Sequence, residues 1–487
     1  MPRTPNRFSS LSSLFPRAAL YRELGRAPAG RVKEDAERFP DFPWTERHLQ
    51  CVWYDPSLRP AKLVTHTGES LVVEDPGVWN LEAGPDFLGA RVRIGGRRLA
   101  GDVEVHVHPR DWPGHGHGED PRYARVRLHV TWAPGVAAPG LIHVSLKAAL
   151  AADPLFSFEL IDPSAYPYGP RAAPAPCSRV LSGWAMADKE QLLEAAGEER
   201  LRGKAERFAR YAAERGREQA FYEEVLSALG YKHNKAPFRL LAQRVPLNEL
   251  RKESGGSRME AYAVLAGMAG LLPPLPATGW DMETRRFFRQ LWDAWWKRQE
   301  SWASRALPRG IWRFNGLRPA NRPERRLMAA AVLFSGPASL LDDWRALART
   351  DARTAFERAE ASLCSPSGTY WDCRVSWGGA RLKTAAALIG PSRARAIVNN
   401  LFLPYLASTG TAVRQNKEWL DHLPPEEENQ VLRQTARSLL GPDYPPSLLR
   451  NGLRQQGLIQ IFSDYCLNDR SRCATCTFPK WLSRRTA

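Results

Sequence analysis

Residues 91–108 read RVRIGGRRLAGDVEVHVH, two runs of alternating character on either side of Gly95-Gly96. A strand sends successive side chains to opposite faces, so this pattern is best satisfied by a β-hairpin with a covered face. The Gly-Gly pair supplies the positive φ values that a two-residue turn demands. On the second run Val103, Val105 and Val107 share one face, and Asp102, Glu104, His106 and His108 share the other. A strand that merely meets solvent is served as well by Lys, Arg or Thr. Carboxylates and imidazoles in a row, about 6.6 Å apart at roughly 3.3 Å per residue, are the donors that divalent cations bind. Of the chain's 10 histidines, most fall between His106 and His143.

The same period-2 reading extends over the first third of the chain. KLVTHTGESLVVED is a hairpin around Thr67-Gly68, and RVRLHVTW and LIHVSLK are further strands. A helix is expected through TERHLQCVWYD, with Thr45 at its N-cap and Leu49, Val52 and Trp53 on one face. Beyond the Pro- and Ala-rich stretch YPYGPRAAPAPCS the period becomes helical almost to the end. The expected architecture is α+β or α/β. Residues 1–30 form a disordered extension, 31–165 a mixed-sheet domain, 166–180 a linker, and 181–487 a helical domain carrying a cysteine cluster.

The formal charge is +17. A field of that sign attracts polyanions, so nucleic acid is the expected partner. No apolar run reaches the length of a membrane span, and a membrane is not expected. Seven cysteines, odd in number and sparse, do not make a disulfide framework, and the first 25 residues show no h-region of secretory type. A reducing, cytoplasmic setting fits this usage. The segment RALPRGIWRFNGLRPANRPERR, with arginines interleaved with Trp312 and Phe314, suggests a nucleic-acid surface. Arg309, Arg313, Arg318, Arg322, Arg325 and Arg326 are its candidate contacts.

Asp86 in GPDF, followed after the hairpin by GDVEVH, resembles the PD-(D/E)xK pattern of restriction-endonuclease-like nucleases. That resemblance implies a restriction-endonuclease-like domain that hydrolyses phosphodiesters with Mg²⁺ or Mn²⁺. Asp86 and Glu104 would be metal ligands, with Asp102 beside them and Glu46 on the early helix as an optional further carboxylate. His106 takes the place usual for Lys, and Asp86, Glu104 and His106 are the expected catalytic residues. His108, His115 and His117 are candidates for the same pocket. The alternatives are a non-catalytic nucleic-acid-binding protein that keeps the fold, and a metal-dependent hydrolase of small substrates. The wider wording, TERHLQCVW through WNLEAGPDF and GDVEVH, resembles a bacterial family of unknown function over most of the chain.

Register sets a condition on this reading. With Gly95-Gly96 as a two-residue turn, Ile94 faces Arg97 and a regular ladder puts Asp86 opposite Val105, on the apolar side. Asp86 joins Glu104 only if the hairpin contains one extra residue, for which Gly84, Gly89 and Gly101 are suited.

The tail contains Cys466-x6-Cys473-x2-Cys476. Three soft donors this close suggest Zn²⁺ or part of an iron–sulfur site. A fourth ligand must come from elsewhere, with Cys364 and Cys373 as candidates.

Overall fold

The computed structural model describes residues 15–25, 42–80, 84–163, 166, 175–231, 233–314, 317–364, 368–408, 416–428, 430–467 and 476–483. The chain divides into two compact units. One comprises Glu23–Lys189, Gln430–Tyr444 and Ile459–Ala487; the other comprises Met1–Arg22, Glu190–Asn429 and Pro445–Leu458. The architecture is α+β.

The first unit is built on a seven-stranded mixed sheet. Its strands are β1 (Leu63–Val64), β2 (Ser70–Asp75), β3 (Val78–Trp79), β4 (Phe87–Ile94), β5 (Arg97–His106), β6 (Val126–Thr131) and β7 (Ile142–Ser145). Their order is β1-β2-β4-β5-β6-β7, with β3 paired to β4. The pairs up to β4–β5 are antiparallel, whereas β6 lies parallel to β5 and β7 parallel to β6. Helix α1 (Glu46–Tyr54) precedes the sheet. Thr45 is its N-cap, and the Thr45 N–H donates to His48 Nδ1 at 3.3 Å. Leu49, Val52 and Trp53 join a core with Phe87, Val92, Val103, Val105, Leu128, Val130 and Val144. Each such side chain, fully buried, contributes about 1.5–3 kcal/mol.

The β4–β5 hairpin turns at Gly95 and Gly96, with φ of 52° and 88°, the double positive of a type I′ turn. Pairing is regular from Ile94↔Arg97 to Ala90↔Gly101, then shifts so that Phe87 meets Val103. Leu88 and Gly89 together oppose Asp102, which makes a one-residue bulge. Gly89 has φ of 67°, and its N–H donates to Asp102 Oδ1 at 2.8 Å. The shift brings Asp86 level with Glu104.

β5 is internal to the sheet, and over its second half, Gly101 to His106, both faces are covered. Val103, Val105 and Val107 are buried, and so are Glu104 and His106, at 5% and 1% exposure. Parallel strands need a long return, usually a helix. Here residues 107–125 make it with only the short α2 (Asp111–Gly114) and a 3₁₀ turn at Pro121–Tyr123. This return carries His115 and His117.

In the second unit, Arg258–Met268 is a helix buried on every side from Ala261 to Met268. A Cβ on Gly267 would lie 2.3 Å from the Trp295 ring, so the close approach of the two helices requires glycine there. The arginine-rich segment is partly internal, which corrects the expectation for two of its residues. Arg325 and Arg326 are each 2% exposed. Arg325 donates to the carbonyls of Trp371 (3.0 Å), Ala386 (2.8 Å), Ala387 (2.8 Å) and Leu388 (3.3 Å). Arg326 donates to Leu388 O, Tyr231 Oη and Asn321 Oδ1. Their guanidinium groups hold irregular backbone together and do not face a polyanion. Arg309 and Arg318 are exposed, while Arg313 and Arg322 are half-buried, with Arg309 and Arg322 over the Phe314 ring.

Within the expected disordered extension, Ala18–Gly25 is instead helical, with Ala18 and Tyr21 buried; residues 1–14 and 26–30 lie outside the described residues. Arg17, just ahead of it, pairs with Glu194 and Glu198. Of the expected linker, residues 167–174 lie outside the described residues and Pro176–Ser182 is a helix. No described helix is long and apolar enough to cross a membrane.

Candidate metal centre

The bulge at Gly89 places the first two acidic candidates across from one another. The Asp86 N–H donates to Glu104 Oε2 at 3.0 Å, and Val105 N–H donates to Asp86 Oδ2 at 2.9 Å. Asp86 Oδ1 accepts from Gln50 Nε2 at 2.7 Å. Gln50 sits one helical turn beyond Glu46 on α1, and the charge of Glu46 bears on Glu104. Both oxygens of Asp86 therefore already accept a proton donor. Glu104 keeps Oε1 for other partners.

Those partners are imidazoles. Glu104 Oε1 lies 3.4 Å from His106 Nε2 and 3.3 Å from His117 Nε2. His106 Nε2 in turn lies 3.3 Å from His117 Nε2 and 3.3 Å from His115 Nδ1. Among the described residues, His106, His115 and His117 form the one group whose ligand atoms all fall within 4.8 Å of one another. A tetrahedral ion with bonds of about 2.05 Å requires donor–donor edges of about 3.3 Å. An octahedral Mg²⁺ with bonds of similar length requires edges of about 2.9 Å. The three nitrogens suit a tetrahedral, nitrogen-seeking cation with its fourth position open, and Glu104 Oε1, close to two of the imidazoles, stands beside them. His115 is exposed, so the group opens to solvent on that side.

Two of the imidazoles, His106 and His117, are braced from behind. His106 Nδ1 meets His129 Nε2 at 2.8 Å, the outer contact that fixes the tautomer of a ligating imidazole. His129 is the register partner of Glu104 on β6, and His143 is the partner of His129 on β7. The His129 and His143 Nδ1 atoms are buried without a hydrogen-bond partner. His117 stacks on Tyr123 with ring centroids 3.9 Å apart. The return loop that carries it is held by Asp111 Oδ2, which accepts from His108 N–H at 2.9 Å.

Electrostatics reflect this crowding. Burial, and then the charge of Glu104, push the Asp86 carboxyl well above the usual carboxylate range. Burial likewise raises Glu104, with Glu46 adding to it. Burial and the neighbouring imidazoles hold His106 well below its ordinary value. Burial, and then His143, bring His129 down to about 3. Carboxyls that resist ionising beside imidazoles that resist protonating make a site short of positive charge. A divalent cation supplies it without protons.

Of the candidates, Glu104, His106, His115 and His117 come together. Asp86 adjoins them with its carboxylate engaged, and Glu46 acts from the first turn of α1. Asp102, expected among the ligands, stabilises the bulge through Gly89. His108 lies in the turn after β5, where its Nδ1 accepts from Arg110 N–H at 3.2 Å. Gln50, Tyr123 and His129 were not anticipated. The i,i+4 spacing of Glu46 and Gln50 signalled the first; nothing in the sequence signalled the register that brings in His129.

A family model described as "Protein of unknown function (DUF2851)" matches residues 46–429. No curated protein and no solved structure matches.

Proposed function

The chain belongs to the DUF2851 family, and from the donor geometry of its sheet we propose that it is a metal-dependent hydrolase of phosphodiester bonds, with nucleic acid as substrate. The observation that carries this reading is the grouping of His106, His115 and His117, whose ligand atoms all lie within 4.8 Å of one another, with Glu104 Oε1 3.3–3.4 Å from two of them. Two further features support the substrate class. Asp86 and Glu104 lie on adjacent strands with an acidic helix residue nearby, as in the PD-(D/E)xK arrangement, and the chain carries a charge of +17.

The expected Mg²⁺ or Mn²⁺ gives way in this proposal to Zn²⁺, because imidazole nitrogens favour borderline cations over hard ones. When bound, such an ion would acidify a water and polarise a phosphoryl oxygen. The three imidazoles would hold it, with His129 fixing the His106 ring. Glu104 Oε1 would accept the proton of the attacking water, and Asp86 and Gln50 hold the β4–β5 backbone beneath it. A basic group in the usual Lys position is not needed when the cation itself carries the positive charge.

The three imidazoles also favour a second reading, hydrolysis of small phosphoesters. Cleavage of single- and double-stranded DNA and RNA, and of a small aryl phosphodiester, with Zn²⁺, Mn²⁺ or Mg²⁺ tests both. Metal-dependent nucleic-acid cleavage lost in Glu104→Ala and His117→Ala supports the first. Turnover of the small diester alone supports the second. Absence of hydrolysis by protein shown to hold the metal overturns both.

A further inference from the structure

Three cysteines distant in sequence line one pocket of the sheet-bearing unit. Cys177 stands near the start of the helix Pro176–Ser182, which packs against the helices Gln430–Leu440 and Thr477–Ser483. Cys177, Cys466 and Cys476 all line the cavity enclosed there, with Phe462, Phe478, Gln434 and Thr435. Among the described residues none of the three is joined to another cysteine. We propose that Cys177, Cys466 and Cys476 are thiolate ligands of an iron–sulfur cluster, distinct from the imidazole site.

Two independent features point to a ligand there. Thr435 Oγ1 and Gln434 Oε1 line the same cavity, buried with no hydrogen-bond partner. A buried hydroxyl without a partner costs about 1–3 kcal/mol, a deficit that donation to a metal-bound sulfur would relieve. Cys466 also closes a π-helical turn, Phe462–Cys466, in which Leu467 N–H reaches back to Phe462 O at 2.8 Å. Such turns are rare and gather at functional sites, where they re-aim a side chain.

The sequence spacing nominated Cys364 and Cys373 to complete the cluster, and neither lines this cavity. Cys364 lies beside Glu360 and Arg395, and Cys373 Sγ is met by Arg381 Nη2 at 3.9 Å. Cys177 is the distant ligand instead. Cys473 lies outside the described residues. The thiolates line a pocket without closing on a point as the imidazoles do, which leaves room for a polynuclear cluster.

X-ray absorption at the metal edge of full-length protein, purified anaerobically, separates this centre from the imidazole site. Thiolate ligation produces a sulfur shell near about 2.3 Å, whereas imidazole and carboxylate give only lighter neighbours near about 2.0 Å. An iron edge with acid-labile sulfide identifies the cluster, and a sulfur-ligated zinc without labile sulfide would overturn it. The sulfur shell is expected in wild type and in Cys364→Ser, and diminished or lost in Cys177→Ser and Cys466→Ser. A wild type with no sulfur-ligated metal, or a Cys177→Ser variant with an undiminished sulfur shell, would overturn the proposal. Alkylation of wild-type protein removes dependence on variant folding: Cys177, Cys466 and Cys476 should label only after chelation or cluster bleaching. Equal labelling before and after would equally overturn it.

Discussion

Asp86 stands directly opposite Glu104 across β4 and β5, its backbone N–H on the Glu104 carboxylate at 3.0 Å, and one glycine makes this so. Without the extra residue at Gly89, Asp86 would pair with Val105 and turn to the apolar side.

Substitution at Gly89 should therefore weaken the site and the fold together. Nothing lies within 4 Å of a Cβ built there, so the cost is conformational, from φ of 67°. A non-glycine residue in that region costs about 1–2 kcal/mol, and Asn less. Losses of stability and of Zn²⁺ affinity should follow the order Gly89→Asn, Gly89→Ala, Gly89→Val, measured by thermal melts and calorimetric titration. A Gly89→Val protein that melts and binds as wild type would show that the bulge does not hold the carboxylates in register.

His129 meets the candidate ligand His106 at 2.8 Å. Replacing it with Phe keeps a ring of similar breadth and removes the nitrogen that orients His106. Metal affinity should fall about 10–100-fold, the usual consequence of removing an outer hydrogen bond, while His66→Ala leaves it unchanged. Equal affinity in His129→Phe and wild type would show that His106 is oriented by packing alone.

The hairpin and the need for a bulge were legible because alternation and glycine act locally. Strand direction was not. Alternating residues read the same in parallel and antiparallel partners, so RVRLHVTW gave no sign that His129 would lie level with Glu104. The arginine run misled for a related reason. Linear composition counts charge, whereas the register of the helix Pro323–Phe334 decides which guanidiniums face inward, and Arg325 and Arg326 do. Cys177 was hidden by sequence distance, having no nearby cysteine to make it a motif.

His48 offers a pH test away from the donor atoms. Burial lowers it to about 4 from its ordinary 6.5, against the attraction of Asp162. In the unfolded chain it takes up a proton near pH 6.5, and in the folded chain only near pH 4. Between those values the unfolded state binds more protons, so this residue's contribution to stability is complete above pH 6.5 and declines on acidification. The slope is at most about 1.4 kcal/mol per pH unit. Urea melts of wild type and His48→Gln at pH 7, 6 and 5 isolate it: the difference should move in favour of Gln as pH falls. A difference that stays constant over that range would mean the ring is solvated.

Arg325 and Arg318 should separate folding from binding. Arg325→Ala strips hydrogen bonds from four carbonyls between Trp371 and Leu388, and unsatisfied buried groups cost about 1–3 kcal/mol each. Partial rehydration of the emptied space tempers that sum, so a loss on the order of 3 kcal/mol is expected. Arg318 is exposed, and Arg318→Glu should leave the melt within about 0.5 kcal/mol of wild type. If this surface meets nucleic acid, the same change should weaken binding uniformly across sequences. It should also reduce the dependence of log affinity on log salt by about 0.7 for each single-strand phosphate that the variant no longer neutralises. Binding to single-stranded DNA measured from low to moderate salt decides between the two roles. A slope unchanged in Arg318→Glu and in Arg309→Glu would remove this segment from the interface and leave the charge of +17 to act elsewhere on the chain.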